Sequence, residues 1–85
     1  MIEVRLYSRP ECPLCEEVQR DLAELAAEFP HRVTDVNILN DPLLFERFRS
    51  LVPVVEMNGR ALLYPPHDWL SLRNELAAAR AEVAL

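Results

Sequence analysis

The sequence predicts an α/β fold, a three-layer sandwich built on a mixed four-stranded sheet. Three observations predict it. An alternating apolar segment at the N-terminus runs into a stretch with apolar residues at helical spacing, Asn58-Gly59 separates two short apolar runs, and a last helical face follows Pro65-Pro66. In chain order the elements read β-α-β-α-β-β-α. The strand, helix and strand at the start make a parallel crossover, and the later hairpin adds antiparallel pairing.

Ile2 to Tyr7 alternates Ile2, Val4 and Leu6 with Glu3, Arg5 and Tyr7, the period of a strand with one buried face. Leu14, Val18, Leu22, Leu25 and Phe29 then recur at intervals of three and four, which predicts an amphipathic helix from Pro13 to Glu28. Pro30 ends it. Val33, Thr34 and Val36 predict a short strand over Arg32 to Val36, with Asp35 as its weak point. Asn40-Asp41-Pro42 reads as a helix start, Asp41 capping and Pro42 in first position, for a short helix through Leu44, Phe45 and Phe48. Val54 to Met57 and Arg60 to Leu63 flank Asn58-Gly59, the strongest short hairpin signal, because a type I′ turn needs positive φ at both central residues. After Pro65-Pro66, Asp68 can cap a final helix whose face runs through Trp69, Leu72, Leu76 and either Ala79 or Arg80. The alanine-rich end of the chain reads as the fraying end of that helix, and Trp69 as a core residue.

The chain has 85 residues, enough for one small domain and one core. Hydrophobic residues make up 51% and charged residues 27%, a balance that predicts a soluble globule and no membrane span. Gly occurs once, which excludes glycine-rich phosphate loops, where backbone N–H groups must crowd around an anion. The formal charge of −5 opposes binding to nucleic acid or anionic lipid, so neither is expected as a partner.

Both cysteines lie in one tetrapeptide, Cys12-Pro13-Leu14-Cys15. The N-terminal residues offer no apolar leader, which predicts a cytoplasmic chain whose thiols are held reduced. A bridge closing so short a loop constrains the unfolded chain little, so a structural staple is a poor explanation of the pair. Metal binding or redox chemistry remains. A structural zinc site needs four ligands, and the other candidates, His31 and His67, lie far apart without the paired spacing of zinc modules. Both histidines read as surface residues.

These residues resemble a known family. Leu6-Tyr7-Ser8-Arg9-Pro10-Glu11-Cys12-Pro13-Leu14-Cys15 is similar to the first strand and active-site loop of glutaredoxins, within the thioredoxin superfamily. Val52-Pro53-Val54-Val55 followed by Asn58-Gly59 matches the family's segment around a cis-proline. The resemblance implies that Val52 and Pro53 present the Val52 N–H and C=O to an extended substrate. It also implies that Arg9 stands for the family's basic residue before the first cysteine, and Asp68 for its acidic residue at the last helix. The sequence departs from the pattern at Leu14, where an aromatic is usual, at Val52 in place of Thr, and at Tyr64-Pro65-Pro66-His67, where the family carries a Gly-Gly pair beside glutathione.

The chemistry follows from position as well as likeness. Cys12 falls where a strand gives way to a helix, so its sulfur meets unsatisfied N–H groups and the positive end of the helix dipole, both of which favour a thiolate. Thiolate is the attacking form, which makes Cys12 the nucleophile and Cys15, one turn further in, the resolving cysteine. Arg9 favours the Cys12 thiolate, while Glu11, Glu16 and Glu17 oppose it, and the balance predicts a moderately acidic thiol. The expected activity is dithiol–disulfide exchange on protein or low-molecular-weight disulfides by a monomer without a bound cofactor. Glutathione or a thioredoxin-reductase-type donor would supply electrons. The alternatives are an iron–sulfur or other metal-binding module, and a non-catalytic redox sensor or adaptor.

Overall fold

The computed structural model describes residues 1–59 and 61–83. Its elements are β1 (Ile2–Ser8), α1 (Pro13–Leu25), β2 (His31–Asn37), a 3-10 turn at Ile38–Asn40, α2 (Pro42–Phe48), β3 (Val54–Met57), β4 (Ala61–Leu63) and α3 (Trp69–Val83). This is the β-α-β-α-β-β-α order read from the sequence. The sheet runs β2-β1-β3-β4, with β1 parallel to β2 and antiparallel to β3, and β3 antiparallel to β4. Among the described residues no helix is long and apolar enough to cross a membrane.

The period-2 pattern of β1 divides the interior into two layers. Ile2, Val4 and Leu6 face a core closed by Val18, Leu22 and Leu25 of α1, by Leu72, Leu76 and Ala79 of α3, and by Val55 and Met57 of β3. Tyr7 points to the other face, where it meets Ile38, Phe48 and Val54. The Tyr7 and Phe48 rings lie 4.8 Å apart between centroids, and the Tyr7 hydroxyl donates to Glu56 Oε2 at 3.3 Å. One strand therefore holds both helical layers to the sheet.

Several boundaries differ from the sequence reading. α1 stops at Leu25 rather than Glu28. Pro30 disfavours helical backbone at Phe29, and the chain instead closes a turn in which the Glu28 and Phe29 N–H groups both donate to the Leu25 carbonyl. Phe29 stays buried all the same, with the Arg73 and Arg80 guanidinium groups over its ring, and Arg73 grips the Glu28 carboxylate through two nitrogens. β2 extends to seven residues because pairing with β1 carries it through Asp35, whose partner is Leu6. Trp69 is 39% exposed and is no core residue, since Leu72 and Leu76 take the inward positions of α3. Arg60 and the last two residues, expected in the hairpin and the final helix, lie outside the described residues.

The hairpin has the backbone its residues demand, with φ of 53° at Asn58 and 74° at Gly59. Asn58 also ties three elements together. Its N–H donates to the Glu3 carbonyl, its Oδ1 accepts the Glu3 N–H, and its Nδ2 donates to the Ala79 carbonyl of α3. A Cβ on Gly59 would meet no atom within 4 Å, so the cost of Gly59→Ala is that of left-handed backbone alone. We expect that variant to lose about 1 kcal/mol, read from the urea midpoint, with its m-value unchanged.

Candidate active site

Ser8, at the end of β1, is followed by a loop whose last bend is at Glu11, with φ of 56°. A side chain in that region costs about 1–2 kcal/mol, and Glu carries no local preference for it, so the bend has no signal in the residues around it. The bend delivers Cys12 in extended conformation to the N-cap of α1, with Pro13 first in the helix. Cys12 Sγ accepts the Cys15 N–H at 3.2 Å, one of the donors that a helix start leaves unpaired. The two cysteines form a disulfide with Cα atoms 5.2 Å apart. Both cysteines are buried, Cys12 at 8% exposure and Cys15 at 2%.

Two clefts flank this turn, on different faces of α1. The first, about 270 Å³, contains both cysteines together with Arg9, Glu11 and Glu16. Its far wall is Asp35, which accepts a 2.6 Å hydrogen bond from the buried Ser8 hydroxyl and a 3.0 Å bond from Gln19. Asp35 had been legible only as a weak point in a strand. Parallel pairing with β1 sets it beside the cysteines, a long-range effect without a local signal.

The second cleft, about 330 Å³, lies between α1 and the loops before β3 and α3. Leu14, Val18, Pro53, Pro65 and Pro66 give it apolar walls. Glu17 and Asp21, on the same face of α1 as Leu14, set carboxylates along it. His67 closes the cleft and corrects a sequence expectation. It is half-buried, and its Nε2–H donates to the Pro53 carbonyl at 2.7 Å, fixing the loop after α2 to the segment before α3.

The remaining candidates divide between these clefts. The Val52–Pro53 peptide is cis, as is Pro65–Pro66, and Pro53 is buried against the second cleft. The Val52 N–H donates to the Phe48 carbonyl at 3.1 Å, which corrects the expectation that both Val52 backbone groups face a substrate. The turn that ends α2 uses that donor. Arg9 is exposed in the first cleft, and Pro53 lines the second, so the structure sets them on different sides of the first turn of α1. Asp68 lines neither. Its Oδ1 accepts the Ser71 N–H at 2.7 Å, and its carbonyl accepts the Leu72 N–H, which makes it the N-cap of α3. Among the described residues no three His, Cys, Asp or Glu side chains gather as a metal site.

The Ser71 N–H holds the Asp68 carboxyl below its ordinary pKa of 3.8. A lowered folded-state value means that the cap contributes its full stability above the ordinary pKa and loses it as pH falls through the lowered one. Asp68→Ala is expected to lower Tm by about 5 °C at pH 7. Asp68→Asn should keep most of the cap and show a shallower loss of Tm between pH 4 and pH 2, which scanning calorimetry across that range checks.

Comparison with known proteins agrees with this geometry. Residues 3–77 match the model of the glutaredoxin-like domain family. An uncharacterized protein of Mycobacterium tuberculosis and one of Mycobacterium bovis are each 34% identical over 80 residues, which span 88% of this chain and 82% of theirs. A structural-genomics target protein from X. campestris superposes with a TM-score of 0.78 at 29% identity, covering 88% of this chain and 96% of that one. A mutant thioredoxin from Halobacterium salinarum, at 13% identity, gives 0.74 over 92% of this chain and 74% of its own, and shares the fold. A C-x-x-C disulfide at the first helix of a thioredoxin fold supports a redox role. With the family model covering most of its length, and relatives above 30% identity along most of theirs, the chain belongs to the glutaredoxin-like family.

Proposed function

We propose that the protein is a thiol–disulfide oxidoreductase working through Cys12 and Cys15. The observation that carries this reading is the Cys12 sulfur at the α1 N-cap, accepting the Cys15 N–H, with Cys12 the more exposed residue of the pair. The same N–H and the helix dipole favour negative charge on Cys12 in the reduced protein. The Cys12 thiolate attacks one sulfur of a substrate disulfide, forming a mixed disulfide and releasing the other sulfur as a thiolate that takes a proton from solvent. Cys15, once deprotonated, attacks the Cys12 sulfur and re-forms the internal disulfide, and the second substrate sulfur leaves as a thiol. Two electrons have passed from the dithiol to the substrate. An external dithiol or two monothiols return them.

With its N–H engaged by Phe48, Val52 offers a bound chain its carbonyl, and Pro53 borders the apolar path that such a chain would follow. Arg9 supplies positive charge beside Cys12. The Tyr64-Pro65-Pro66-His67 segment favours a reductase-type donor over glutathione. Pro lacks the N–H that a backbone clamp on a peptide carboxylate uses, and His67 is tied to Pro53. Trapping tests the reading. Cys15→Ser, reduced and mixed with a disulfide substrate, should accumulate a mixed disulfide on Cys12 that dithiothreitol releases. Equal accumulation on Cys15 in the Cys12→Ser protein would reverse the two roles.

A further inference from the structure

The two clefts beside the disulfide share one property that their shapes do not require, a surplus of negative charge. The first sets the Arg9 guanidinium against the carboxylates of Glu11, Glu16 and Asp35. The second sets Glu17 and Asp21 along apolar walls, and neither forms an ion pair among the described residues. The one ring base in that wall, His67, has its Nε2–H on the Pro53 carbonyl. A molecule that approaches the Cys12-Pro13-Leu14-Cys15 turn past either cleft therefore meets net negative charge, and charge lining a concave site acts more strongly than on open surface.

Resting on the oxidoreductase reading, we propose that the second cleft selects its substrate: a disulfide-bearing protein segment with an apolar residue beside its cysteine and a Lys or Arg shortly after. Leu14, between the two cysteines, is 57% exposed and begins the apolar wall that Val18 and Pro53 continue, which suits the apolar neighbour. Glu17 and Asp21 lie about 7 and 13 Å beyond Cys12 along the helix axis. An extended chain covers that span in about two to four residues, which sets where the cation falls. The same carboxylates disfavour a disulfide whose own neighbours are carboxylates. Charge complementarity of this kind acts mainly on encounter and register, so it is read in the rate of the bimolecular step and in its salt dependence.

The test uses the full-length protein, reduced beforehand and freed of reductant, in single turnover. Its substrates are two symmetric disulfide-linked peptide dimers, identical except for Lys or Glu three residues after a Leu-flanked cysteine. Each rate constant is divided by that for reduction by a small neutral dithiol, which removes the intrinsic reactivity of the peptide. The Lys peptide is expected to react about tenfold faster at low ionic strength, with the ratio falling towards one in salt. In a Glu17→Lys, Asp21→Lys variant the preference should reverse. Equal normalised rates in the unaltered protein, or a preference that survives charge reversal, would overturn the selection while leaving exchange at Cys12 intact. If neither peptide is reduced, the oxidoreductase reading fails and this inference fails with it.

Discussion

Cys12→Ser is expected to reduce insulin disulfides at less than about a thousandth of the rate of the unaltered protein, with dithiothreitol as electron source and the uncatalysed rate subtracted. The serine hydroxyl keeps the place at the α1 N-cap and can accept the Cys15 N–H, so the fold and the helix start should survive. What is lost is the sulfur that attacks the substrate in the first step and is itself attacked by Cys15 in the second. Cys15→Ser should behave differently in kind. Its first step is intact, so it should form a mixed disulfide rapidly and then stall, with turnover limited by external thiol. A Cys12→Ser protein that still turns over insulin at the unaltered rate would remove Cys12 from the chemistry.

The second large effect concerns stability. Phe48 is 1% exposed, its ring lies against Tyr7, and its carbonyl receives the N–H groups of Leu51 and Val52. Phe48→Ala should cost about 3–5 kcal/mol, by loss of buried area and by the cavity left between α2 and the sheet. A chain of this size has in all about 4–13 kcal/mol. The variant should therefore be marginally folded at 37 °C, with its urea midpoint roughly halved. The damage reaches the site, because Val52 and Val54, on either side of Pro53, share the Phe48 layer. A Phe48→Leu substitution, which refills most of the volume, should recover most of the stability and most of the exchange rate. Recovery of stability without activity would show that the ring itself positions the Pro53 loop.

Most of the fold was legible because its signals are local. Alternation in β1, the three- and four-residue steps of α1, Asp41-Pro42 before α2, and Asn58-Gly59 each state a backbone preference within a few residues. The misreadings came where tertiary contacts decide. Phe29 continued the apolar spacing of α1 and is indeed buried, but from a turn, since the core selects for a buried ring and not for the helix that carries it. Trp69 sat on a helical face and took the outer position. At the site, the dithiol could be read from four residues, whereas Asp35 beside it arrives through strand register and His67 through a loop closing on Pro53. Asp68 shows the opposite case. Both a cap and a ligand contact are open to it, and the geometry shows the cap, a local role.

The sheet order also has a consequence for the chain as it is made. β1 is a central strand, yet one neighbour, β2, follows it closely while the other, β3, comes from the second half of the sequence, with Val4 opposite Met57 and Tyr7 opposite Val54. During synthesis, the β1-α1-β2 unit can assemble as soon as it clears the ribosome, but its Ile2, Val4 and Leu6 face lacks Val55 and Met57 until β3 emerges. Cys12 and Cys15 are therefore carried for a time on an unfinished scaffold, open to oxidants and to other thiols until β3 closes the core. Nascent chains that end before and after residue 57 and are stalled on a C-terminal linker long enough to clear the ribosome tunnel should differ sharply in how fast those two thiols are alkylated, the shorter ones reacting faster.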